Sequence, residues 1–296
     1  MKLDDFDPDS VSVEDQGRGG GFSLPGGIGG GKLGCGTIVI AVIAALVFGV
    51  DPGQMLGQLS QMQGGQEAAP SQGQPRGGGT AEEICRLNPA RLESCNALSS
   101  LNKTWEPIFR ASNVAFRQPK LAFYDQAGSS GCGAAQSAMG PFYCPTDQGI
   151  YLDTDFFRQM DQELGATGQF ARDYVIAHEY GHHIQNLTGM SDQVRSLQQQ
   201  NPSQANQLSV RLELQADCYA GVWAAKNRDR LEPGDMESGL NAAHQIGDDT
   251  LMKAAGRRPV EAAFTHGTSA QRMQWLRKGL ETGNEDACDT FADLRR

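Results

Sequence analysis

The chain has 296 residues and a formal net charge of −10, from 25 Lys and Arg against 35 Asp and Glu. That length suits one large domain or two small ones. The acidic balance, with no basic stripe, excludes a nucleic-acid footprint and fits surface charge that serves solubility.

Residues 1–32 are dominated by Asp and Gly and end in "GRGGGFSLPGGIGGGK". They carry too little apolar surface to fold, so a disordered leader is expected. "LGCGTIVIAVIAALVFGV", Leu33–Val50, holds no charge. As a helix it measures roughly 27 Å, close to the hydrocarbon thickness of a bilayer. A cleaved signal peptide is the alternative, but the leader is too long and no A-x-A-like site follows. Lys2, Arg18 and Lys32 precede the run and the next basic residue is Arg76. Positive-inside reasoning then predicts a single-pass membrane protein with its N-terminus in the cytoplasm and the remainder periplasmic or otherwise extracytoplasmic. Residues 51–80, rich in Gly, Gln and Pro, read as a flexible tether, leaving 81–296 as the folded domain.

Cys35 falls in the apolar run, and six cysteines remain: Cys85, Cys95, Cys132, Cys144, Cys218 and Cys288. An even number in an exported domain suggests three disulfides. Nearest-neighbour pairing gives 85–95, 132–144 and 218–288, one of fifteen connectivities.

Along the domain, Leu98–Asn113 has helical spacing interrupted at Pro107, and "KLAFYD", Lys120–Asp125, reads as a strand. Short Gly- and Pro-punctuated runs follow, then "GIYLD", Gly149–Asp153. They suggest a small antiparallel sheet with a hairpin near Thr146–Gly149. From there the pattern is helical: Asp155–Leu164, Gly168–Leu187, Gln204–Lys226, Met236–His244 and Thr268–Leu280. Strands first and helices after predict an α+β fold.

"DYVIAHEYGHHIQNLTG", Asp173–Gly189, holds three of the five histidines. Thr167 is placed to cap this helix and Gly189 to end it. His178 and His182 are four apart and share one face, so both imidazoles can reach one ion. Glu179, a step around the helix, can contact a metal-bound water without ligating the metal, as in H-E-x-x-H zinc peptidases. A surface helix with chance histidines is the bland alternative, but Val175, Ile176, Ala177, Ile184 and Leu187 make this helix apolar, and its buried polar groups need partners. His183 points off that face and reads as structural.

The third ligand is sought in "VRLELQADCYAGVWAA", Val210–Ala225. Glu213 and Asp217 are four apart amid apolar residues, where a solvated acidic face is a poor fit. Glu213 would complete a His₂Glu set with the fourth position left for water, and Asp217 would fix a ligand histidine's tautomer. Cys218 lies one step off that face and suits a disulfide better.

With "CGAAQSAMGPFYCPTDQGIYLDTDFF", "VIAHEYGHHIQ", "ELQADCYAGVWA", "IGDDTL" and "FTHGTSAQRMQWLRKGLETG" in view, the chain resembles the bacterial neutral zinc metallopeptidases of the YpfJ type over nearly the whole domain. The resemblance implies a zincin-like fold, zinc and a membrane location. It also suggests that an edge strand, Cys132–Met139 or Phe142–Cys144, pairs with an extended substrate, with an ordinary hairpin closed by a disulfide as the alternative. His266, in "AFTHGTS", resembles the late-loop histidine of some membrane-associated zinc peptidases, which stabilises the oxyanion or occupies the open metal position; a structural histidine is the alternative. His244 reads as a helix-end histidine, Asp248 and Asp249 as turn or cap residues, and Arg272 as the partner of some acid near the site.

The expected protein is thus a membrane-anchored zinc metallopeptidase acting on peptides or proteins. His178, His182 and Glu213 bind Zn²⁺, and Glu179 is the general base toward a zinc-activated water. A zinc-stabilised latent or chaperone-like binding domain is the rival, disfavoured because a structural site needs no general base. A metal hydrolase of non-peptide amides is a third reading.

Overall fold

The computed structural model describes residues 1–18 and 79–295. A mixed sheet stands at one side: β1 (Ser12–Arg18), β2 (Lys120–Asp125), β3 (Ala127–Ser130), β4 (Gly133–Gln136), β5 (Phe142–Cys144) and β6 (Gly149–Leu152). Its order is β4-β3-β2-β6-β5, with β1 added on β2. β2 is the hub because Leu121, Ala122, Phe123 and Tyr124 are all buried, two on each face. Leu121 and Phe123 join the main core under the helices, while Ala122 and Tyr124 meet Ala135, Phe142 and Tyr151 on the other side. A strand covered on both faces favours parallel neighbours. Both β1 and β6 run parallel to β2, which corrects the expectation of a purely antiparallel sheet. β5 and β6 do form the antiparallel hairpin around residues 145–148.

The first 18 residues also depart from expectation. They are not a structureless leader: Ser12–Arg18 form an integral strand, and Phe6 and Val11 ahead of it are buried in the main core. Their acids find basic partners across the fold: Asp15 meets Arg91 at 2.8 Å and Glu14 meets Lys120 at 2.7 Å. Composition missed this because the segment has no core of its own and borrows the edge of a sheet formed by residues more than a hundred positions away.

That pairing also overturns the single transmembrane tether. One crossing between residues 18 and 79 would put β1 and β2 on opposite faces of a bilayer, whereas the two are hydrogen-bonded in one sheet. No helix among the described residues is long and apolar enough to cross a membrane. The apolar run 33–50, the Gly-rich residues 19–32 and the tether over 51–78 lie outside the described residues.

The helices are α1 (Ala81–Cys85), α2 (Pro89–Ala111), α3 (Asp155–Gln162), α4 (Gln169–Leu187), α5 (Met190–Gln200), α6 (Ala205–Lys226), α7 (Asp235–Gln245), α8 (Asp248–Ala254) and α9 (Ser269–Thr282). α2 is capped by Asn88 and continues through Pro107. α4 is buried almost all round and forms the centre of the helical layer. Its cap is Gly168 at φ 105°, not the side chain of Thr167, and Gly189 at φ 75° ends it and starts α5. α6 crosses α4 where Gly181 faces Ala216, and crosses α9 where Gly221 and Gly279 face each other. A Cβ on Gly279 would stand 2.0 Å from the Cys218 carbonyl oxygen, so these backbones touch directly.

Disulfides join Cys85–Cys95, Cys132–Cys144 and Cys218–Cys288, with Cα separations of 6.0, 5.8 and 5.5 Å. The last ties α6 to the C-terminal segment at the residue after Asp217.

Candidate metal centre

Helical spacing sets His178 and His182 on one face of α4, their ring centroids 4.9 Å apart. The close approach at Gly181, between the two histidines, lets α6 bring Glu213 against them. Glu213 Oε2 lies 3.1 Å from His178 Nε2, and Oε1 lies 3.6 Å from His182 Nε2. One donor atom from each residue falls within 4.8 Å of the other two.

The far side of each ring fixes what the near side offers. His178 Nδ1–H donates to Asp217 Oδ1 at 2.7 Å, and His182 Nδ1–H donates to Gln185 Oε1 at 2.9 Å. Gln185 is oriented in turn by donating to the Leu212 carbonyl at 2.7 Å. As neutral imidazoles held this way, both rings present an Nε2 lone pair, and both Nε2 atoms point at a carboxylate. Three acceptors meeting at one point require a cation or a proton among them. Two imidazoles and one carboxylate are a donor set that zinc accepts in catalytic sites, so the residues present fit the ion.

The electrostatics agree. Burial works against charge on His178, but Asp217 and then Glu213 carry it up to about 9. Burial alone would raise Glu213; the histidines 182, 266 and 178 hold it well below the usual carboxylate range. Glu179, buried beside the pair, is pushed upward chiefly by desolvation, against the pull of His178 and His182. Its carboxyl makes no hydrogen bond to another side chain among the described residues, so it faces the cleft uncommitted.

Asp217 is fully buried and held to about 2: burial would raise it, and Arg272 and His178 more than offset that. Its Oδ1 also accepts from Tyr174 at 2.6 Å. The acid partner left unidentified for Arg272 is thus Asp217.

His266 stands in the same cleft. Asp248 is not merely a turn residue. Its Oδ2 accepts the main-chain N–H of Thr265, His266 and Gly267 at 2.8, 2.7 and 3.1 Å, and its Oδ1 lies 3.1 Å from His266 Nδ1. The imidazole is thereby fixed with Nε2 on its other side. Asp249 accepts from the Ser269 amide and hydroxyl, a capping contact for α9. His244 sits in the last turn of α7.

His183 lies outside the cluster. It is buried, accepts at Nδ1 from the Tyr143 hydroxyl at 3.0 Å and donates from Nε2 to the Arg117 carbonyl at 2.7 Å. Burial lowers it to about 4. Cys218 is consumed by its disulfide and offers no thiolate.

The cleft over the centre measures about 980 Å³. Ala134 of β4 and Phe142 and Tyr143 of β5, the two end strands of the main sheet path, line it, as do Phe156, Ile246 and Leu251. Gln185, Tyr174, Asp248 and the glycine crossings escaped sequence reasoning. Only Gln185, three residues after His182, had a local signal.

A family model described as "Putative neutral zinc metallopeptidase" matches residues 5–291. The uncharacterised protein YpfJ of Escherichia coli (strain K12) is 44% identical over 279 residues, covering 92% of this chain and 90% of that protein. An uncharacterised protein of Mycobacterium tuberculosis (strain ATCC 25618 / H37Rv) is 37% identical over 270 residues, 84% of this chain and 86% of that one. No solved structure matches the chain.

Proposed function

The chain belongs to the neutral zinc metallopeptidase family, and from that membership we propose that it hydrolyses peptide bonds with His178, His182 and Glu213 as the zinc ligands. The observation that carries this reading is the convergence of two imidazole lone pairs and one carboxylate at the floor of a cleft, with an uncommitted buried glutamate beside them. Zinc held there would supply a Lewis acid that acidifies water and polarises a carbonyl.

Glu179 takes the proton from the attacking water and returns it to the departing amine. Its desolvated carboxyl suits that cycle, since a more basic carboxylate is a better proton acceptor near neutral pH. His266, oriented by Asp248, presents Nε2 to the charge that develops on the carbonyl oxygen. β5, the end strand of the sheet path beside α4, offers main-chain groups to an extended peptide. Three disulfides favour an oxidising compartment as the place of work.

The test is zinc per chain by elemental analysis, with casein proteolysis alongside, on the full chain and on Glu213→Ala and Glu179→Gln. One zinc in the wild type, lost in Glu213→Ala and kept in an inactive Glu179→Gln, is expected. Full zinc with no proteolysis in any form would turn the reading to a latent or binding domain. No zinc in the wild type would overturn it.

A further inference from the structure

We propose that Arg272 is a positioning residue that sets the metal affinity of the centre, acting through the fork of its guanidinium rather than through its charge alone. This rests on the reading of His178 as a zinc ligand.

Arg272 rises from α9, 55 positions beyond Asp217, and is 2% exposed. Nε donates to Asp217 Oδ2 and Nη2 to Oδ1, both at 2.9 Å. Oδ1 also receives His178 Nδ1–H and the Tyr174 hydroxyl. Four hydrogen bonds thus saturate one buried carboxylate and leave it a single orientation. The third arm, Nη1, donates to the Ile246 carbonyl at 3.2 Å. Ile246 lies two residues before Asp248, which holds His266. One side chain therefore ties the orienter of His178 to the loop that orients His266.

The fork is needed because the demands are directional. A carboxylate free to turn would let the His178 ring rotate, or let its proton move to Nε2, where it would block the lone pair aimed at the ion. A lysine supplies the same charge but, as a point donor, cannot span both oxygens and the carbonyl in one plane. The anchor is rigid as well: α9 lies backbone to backbone on α6 at Gly221 and Gly279.

The experiment measures zinc affinity of the full chain by competition with a chromophoric chelator, and the visible spectrum of the cobalt(II)-loaded protein. The variants are Arg272→Lys, Arg272→Met and Tyr174→Phe. Arg272→Lys is expected to weaken zinc about 10–100-fold and to shift the cobalt bands, with Arg272→Met at least as impaired and Tyr174→Phe down by about threefold to tenfold. Arg272→Lys binding zinc like the wild type with an unchanged cobalt spectrum overturns the proposal, whatever Arg272→Met does. If near-UV circular dichroism shows the Arg272 variants unfolded, Tyr174→Phe decides: wild-type affinity and spectrum overturn the pinning of Asp217. A wild type that binds no zinc fails the ligand reading itself, a result separate from these.

Discussion

A Cβ placed on Gly181 would stand 2.8 Å from the Cα of Ala216, so α4 and α6 touch where the two histidines flank the contact. The residue between the imidazoles is therefore part of the centre although it offers no donor. Gly181→Ala must push α6 outward and carry Glu213 with it. Overpacking of this kind costs about 1–3 kcal/mol. The expected result is a lower melting temperature together with weaker zinc binding, read by calorimetry and chelator competition. Wild-type zinc affinity in Gly181→Ala would mean that Glu213 is placed by other contacts.

His266 and Asp248 provide a second test. Removing one group that stabilises a developing oxyanion lowers kcat by about 10²–10³-fold. His266→Ala should lose activity on that scale and keep its zinc, since the three converging donors are untouched. Asp248→Asn leaves the ring without its carboxylate and the three main-chain amides with a weaker acceptor, so it should fall between wild type and His266→Ala. Unchanged proteolysis in His266→Ala would reduce this histidine to a loop anchor.

What could be read before folding follows from range. The convergence of His178, His182 and Glu213 rests on two i, i+4 helical faces, which local spacing reveals. Gln185 was within reach for the same reason. Arg272, Tyr174 and Asp248 were not, because an ion pair names its partner only once α9 lies on α6. α5 was missed because its Gln-rich sequence buries only Val194 and has no apolar stripe. The parallel pairing of β1 and β2 joins residues about a hundred positions apart, which no local pattern records, and the composition of residues 1–18 pointed the other way.

Asp173, on α4 five residues before His178, is buried with neither oxygen hydrogen-bonded. Burial, then Glu93, pushes its carboxyl well above the usual range. The folded state thus binds a proton that the unfolded state releases above pH 4. Its contribution is complete below the unfolded value and is lost as pH rises through the folded one. Asp173→Asn keeps the shape and removes that dependence. Thermal melts should show the variant more stable than the wild type at pH 8, by roughly 1–3 kcal/mol, with the gap closing toward pH 4. Parallel curves across that range would mean that the carboxylate is solvated or paired in solution.

Residues 1–18 bear on the centre through Asn102, whose amide donates to the Ser10 carbonyl at 2.9 Å while its oxygen accepts from Tyr180 at 2.8 Å. Tyr180 lies within the histidine motif itself. A chain beginning at residue 79 would lose that link, bare the edge of β2 and expose the pocket that Phe6 fills. Burying a Phe and a Val side chain is worth about 1.5–3 kcal/mol each, so the loss should reach several kcal/mol. The shortened chain is expected to melt well below the full chain and to aggregate through the open strand edge. A synthetic peptide of residues 1–18 added in trans should restore much of the melting temperature and slow amide exchange in Lys120–Asp125. Equal stability with and without the segment, and no effect of the peptide, would show that β1 does not pair with β2 in solution.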